Sequence, residues 1–151
     1  MATVLRVSLS IAILTHLHAK LDGQDKTDVK IDPAIVAAFE KRFARLGEWK
    51  DEGAGVQFHH LQQARQNAIN GVPGFSLDGF YFSEAEKLPQ VPVPFGLDFS
   101  PGRIADAELK HILHLQKLVI LDLSDCDVTD HGVKDLTVFK ELFSLNLSGT
   151  R

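Results

Sequence analysis

Histidines, one cysteine and a set of evenly spaced aspartates are the residues with chemistry to offer in this 151-residue chain. His111 and His114 lie three apart in a helical stretch, and Asp135 stands 24 residues after His111. On one outer side they would form a His-His-Asp donor set for a divalent metal; the same residues also suit a plain solvated helix face, and no metal site is expected. His59 and His60 are adjacent, and neighbours on a helix diverge by about 100°, so they do not chelate one ion together. Cys126 is the only cysteine, which excludes an intrachain disulfide framework and a multi-cysteine zinc site. No His, Lys or Arg adjoins it to lower its pKa, so a structural role is expected rather than a reactive thiol. The chain has no Gly-x-Ser-x-Gly elbow, phosphate loop, His-Glu-x-x-His or dinucleotide fingerprint. Gly74-Phe75-Ser76-Leu77-Asp78 comes nearest to a nucleophile turn and fails on spacing. No catalytic residue and no cofactor is expected.

The aspartates follow a period. Leu97, Leu121 and Leu145 are 24 residues apart, as are Phe99, Leu123 and Leu147, and Ser100, Ser124 and Ser148. Ile104 and Val128, Asp106 and Asp130, Leu109 and Val133, Lys110 and Lys134, Ile112 and Leu136, Leu115 and Phe139, and Leu118 and Leu142 keep the same step without a gap. A fixed period of this length signals a solenoid, whose units bury their apolar faces against their neighbours. Within a unit, Leu121 and Leu123 alternate with Ile120, Asp122 and Ser124, which puts the leucines inward and the others on the open face. Strands stacked about 4.8 Å apart then align Asp98, Asp122 and Asn146 in one column. Ser100, Ser124 and Ser148 flank it on one side; Gly96, Ile120 and Ser144 flank it on the other. Two stacked carboxylates repel unless water or a cation screens them. The column is either a docking strip for a basic or hydrogen-bonding partner, or a polar surface that repeats because the units do.

Leu118-x-x-Leu121-x-Leu123-x-x-Cys126-x-Val128 resembles the leucine-rich repeat. The resemblance covers residues 96–151, two full units and the opening of a third. Leu-Asn-Leu-Ser-Gly-Thr at 145–150 and Val-Thr-Asp at 128–130 are similar to the short 24-residue subclass common in bacterial repeat proteins. The resemblance implies an α/β leucine-rich-repeat solenoid of short parallel strands with outer helices. It also implies a scaffold that binds a protein partner on its concave face. Gly102, Cys126 and Thr150 hold the turn position after each strand, where such folds use a small side chain to satisfy buried backbone. Asp106 and Asp130 are placed to cap the outer helices.

Upstream, Val7 to Ala19 runs uncharged after a basic start, the outline of a secretory signal. His16 and His18 interrupt it, which favours an ordinary first element of a cytoplasmic protein, and thirteen residues are too few to span a bilayer. Residues 1–30 thus read as a possible signal segment and linker. Asp32-Pro33 predicts a helix start, and Ile35, Val36, Phe39, Phe43 and Leu46 share one helical face until Gly47. A second helical pattern spans Val56 to Asn70, with Phe58, Leu61, Ala64, Ala68 and Ile69 on its apolar side. Asp78-Gly79 marks a tight turn, and the prolines between Leu88 and Pro94 a connector. Residues 31–95 therefore read as a helical N-terminal cap with a proline-rich connector, and 96–151 as the repeats.

With 44% hydrophobic residues the chain can bury a core, and a net charge of −4 offers no basic footprint for nucleic acid. The expected function is non-catalytic binding of a protein partner. Its alternatives are an enzyme with its site in residues 31–92, and a partial chain stable only within a larger assembly. The third unit shows a strand, Ser144 to Ser148, and no outer helix. Leu145 and Leu147 are therefore expected to be half covered, and the strand edge free to self-associate.

Overall fold

A computed structural model of the chain describes residues 31–42, 44–51, 56–60, 71–77 and 87–151. The signal outline, Phe43, residues 61–70 and the Asp78-Gly79 turn lie outside these. Helix α1, Pro33–Glu40, begins where the sequence predicts. The Asp32 carboxylate accepts the Ala34 N–H at 2.7 Å, and Pro33 fills a first-turn position that needs no donor. Val36 and Phe39 turn inward, and the Phe39 ring stacks on Phe75 with centroids 3.8 Å apart.

The helix is shorter than its apolar spacing predicts. Leu46 belongs to strand β1, Arg45–Asp51, and the predicted second helix is, over its described part, strand β2, Val56–His60. The two pair antiparallel, with Trp49 opposite Phe58. Period 2 wins here: Leu46, Glu48 and Lys50 take one face of β1, and Gly47, Trp49 and Asp51 the other. Over its described residues, 31–95 is thus one helix and mostly strand rather than helical throughout.

Four parallel strands follow: β3, Val72–Ser76; β4, Phe95–Asp98; β5, Leu118–Asp122; and β6, Ser144–Asn146. With the hairpin they make one curled six-stranded sheet in the order β2-β1-β3-β4-β5-β6, in a mixed α/β chain. The sheet runs unbroken across residues 95 and 96. The 24-residue period is its register: Leu97 pairs with Leu121, and Leu121 with Leu145. Strand β3 enters the same row through Phe75, at a spacing of 22.

Phe75, Leu97, Leu121 and Leu145 line the core face together with Val36, Phe39, Leu109, Leu115, Leu136 and Phe139 from the helices and turns. Burying a side chain of this size stabilises by roughly 1.5–3 kcal/mol. The register slips by one residue where Phe95 faces Leu118 and Gly96 faces Ile120. Such a bulge turns two successive side chains the same way. Val119 and Ile120 accordingly both join a second apolar cluster on the opposite face, with Trp49, Val72 and Phe143.

The outer elements are short: helix α2, Asp106–Leu109; helix α3, Asp130–Asp135; and a 3-10 turn, Leu136–Val138. Their capping differs from the expectation. Thr129, not Asp130, caps α3, accepting the His131 N–H at 3.2 Å. Asp106 does not cap its own helix; it reaches forward and accepts the Thr129 N–H at 2.8 Å and its hydroxyl at 2.6 Å. Glu108 supports the start of α2 by accepting the Ala105 N–H at 3.0 Å.

The connector is stapled to the first outer turn. His114 Nε2 donates to the Leu88 carbonyl at 2.8 Å, and Gln90 donates to the His114 carbonyl at 3.0 Å. At the other end Leu145 is only 2% exposed, so it is fully covered rather than half covered; Leu147 is partly exposed. Asp125 N–H reaches the Ser148 carbonyl at 2.8 Å, and Arg151 N–H reaches that of Val128 at 3.1 Å. Among the described residues β6 pairs with β5 only, and no helix is long and apolar enough to cross a membrane.

Candidate functional site

The sheet carries Arg45, Ser76, Asp98, Asp122 and Asn146 in one row across five strands, on the face away from the main core. The expected column of Asp98, Asp122 and Asn146 is the repeat-built part of that row. Each carboxylate is held by its own strand end. Asp98 Oδ1 accepts the Ser100 N–H at 2.9 Å and the Ser100 hydroxyl at 2.7 Å. Asp122 Oδ1 accepts the same two groups of Ser124 at 2.8 and 2.6 Å. Asn146 Oδ1 repeats the first of these contacts with the Ser148 N–H at 3.1 Å. The polar column exists because an aspartate or asparagine closes the chain turn after each strand.

The rows are also joined sideways. Asn146 Nδ2 donates to Asp122 Oδ2 at 3.0 Å. Asp122 thus spends both oxygens inside the protein. Among the described residues no lysine or arginine pairs with Asp98 or Asp122. Burial pushes the Asp98 carboxyl above its ordinary range, and the neighbouring Asp122 charge pushes the same way. The Ser100 and Ser76 hydrogen bonds oppose both.

Exposure separates the flanking residues. Asp122, Ser100, Ser124, Ser144, Asn146 and Ser148 are half-buried and reachable, whereas Asp98 is 9% exposed and Ser76 is buried. Ile120, expected on the open face, is 1% exposed, because the Trp49 cluster and the bulge at Val119 enclose it. It is not available to a partner.

Trp49 is the residue that the sequence reading passed over. Its indole lies across Gly74 and Gly96, and a methyl group on Gly96 would fall on Nε1. The two glycines share a row, so the sheet is bare there and the ring closes down on backbone. Nε1 is buried without a hydrogen-bond partner. The signal was present: a lone tryptophan, and Gly74-Phe75-x-Leu77 repeating as Gly96-Leu97-x-Phe99 at a spacing of 22.

The three turn positions share a place after a strand but not a side-chain partner. Cys126 N–H donates to the Leu123 carbonyl at 3.2 Å, and Sγ points at the Phe99 carbonyl of the preceding unit at 3.6 Å. Thr150 Oγ1 donates to the Leu147 carbonyl at 2.8 Å. At Gly102 even a methyl group would strike the Phe99 carbonyl oxygen. Burial raises the Cys126 thiol pKa, which favours the protonated thiol.

His111 is buried, and His114 Nε2 is engaged by the Leu88 carbonyl. Among the described residues no three His, Cys, Asp or Glu groups converge as metal ligands. His59 and His60 sit on strand β2, where adjacent residues take opposite faces. Searches of family models, curated proteins and solved structures find no match to this chain.

Proposed function

We propose that the chain is a non-catalytic binding module of leucine-rich-repeat type, which docks a protein partner on the open face of β5 and β6 and the turns that follow them. The observation that carries this reading is the row of Asp122, Ser124, Asn146 and Ser148. All four residues are half-buried; the Asp122, Ser124 and Asn146 side chains are held by hydrogen bonds, and no lysine or arginine among the described residues pairs with the Asp122 carboxylate. Fixed side chains lose little entropy on binding, and an uncompensated carboxylate favours a partner that presents a lysine or arginine.

The test compares wild type with Asp122→Asn and Ser148→Lys. Asp122→Asn removes charge but can still accept from Ser124; Ser148→Lys adds an opposing charge at a half-buried edge. A partner isolated from the source cells should bind both variants more weakly, with affinity falling as salt rises. Equal binding by all three proteins, with folding confirmed by circular dichroism, would rule this face out as the docking surface.

A further inference from the structure

We draw no further inference here: the strongest candidate, the stacked Asp98 and Asp122 carboxylates on the open face of the sheet beside the unpaired Trp49 indole N–H, is an acidic pair whose hydrogen bonds are all internal, and nothing in the structure shows what covers it.

Discussion

The hairpin end of the sheet and its repeat end solve the same problem in different ways. At the hairpin end, β1 to β3 are covered on both faces: Phe39 and Phe75 on one, Trp49, Phe58 and Val72 on the other. Among the described residues the packing there follows no 24-residue period. Trp49 fills a space that two glycines leave, and Glu48 reaches across to accept the Gly71 N–H at 3.0 Å while pairing with Lys50 at 2.6 Å. At the repeat end the contacts recur by position. Asp98 with Ser100 returns as Asp122 with Ser124, and Leu97 on Leu121 returns as Leu121 on Leu145. One end depends on a single large side chain, the other on many small repeated ones.

Substitution should expose this difference. Trp49→Ala removes the cover over Gly74 and Gly96 and should cost about 3–5 kcal/mol, read by chemical denaturation. Amide exchange should rise first in residues 45–51 and 72–76 and least in 144–146, the strand outside the Trp49 cluster. Uniform loss of protection would mean that the two ends are one cooperative unit and the contrast false. Gly96→Ala attacks the same contact from the sheet side and should cost roughly 1–3 kcal/mol by overpacking. In combination with Trp49→Leu, which vacates that space, the penalty should shrink. Additive costs in the double mutant would show that the indole does not press on Gly96.

A smaller effect tests the repeat end. Cys126→Thr keeps a donor near the Phe99 carbonyl and should change stability by well under 1 kcal/mol, whereas Cys126→Leu should cost on the order of 1–3 kcal/mol. Loss of partner binding in a stably folded Cys126→Thr protein would instead point to a thiol function.

The carboxylates should differ in the sign of their pH dependence. Asp98 is raised, so its charge weakens the fold as pH climbs from the ordinary aspartate value, about 3.9, through the raised one. Asp98→Asn should therefore be the more stable protein at neutral pH and lose that advantage in acid. Asp106 is lowered, chiefly by the Thr129 hydroxyl and N–H, so its contribution is present above the ordinary value and fades as pH falls through the lowered one. Asp106→Asn should be less stable at neutral pH and converge with wild type in strong acid. A small effect is also expected at the exposed pair Lys117–Glu141, 2.7 Å apart: Lys117→Ala should cost no more than about 1 kcal/mol and less at high salt.

Legibility in the sequence followed the same division. The period of 24 placed β4, β5 and β6 in register before any coordinate, and with them the column of Asp98, Asp122 and Asn146. The helix start at Asp32-Pro33 was readable because capping is local chemistry. Leu46 and Phe58 were misread because short apolar runs fit periods of 3.6 and 2 almost equally well, and only pairing between β1 and β2 decides between them. Ile120 was misplaced because alternation alone cannot foresee a bulge, or a tryptophan arriving from 71 residues earlier in the chain. Strand β3 escaped because its spacing to β4 is 22, two short of the period that marked the others. Asp106 was assigned to its own helix when its geometry serves the next one.

That forward reach gives the stack a head and a tail. The Thr129 groups donate back to Asp106, the Asn146 amide donates back to Asp122, and the Cys126 thiol points back to the Phe99 carbonyl. In each case the donor belongs to the later unit and the acceptor to the earlier. Gly132 makes this possible at the helix start, since any side chain there would collide with the Asp106 carboxylate. At these three links the earlier unit supplies acceptors and the later unit donors, so the two sides of a unit are chemically unlike. A half-block insertion between Asp122 and Cys126 falls inside all three spans and would throw every link out of step, whereas one between Leu109 and Leu118 would break only those made by Cys126 and Thr129.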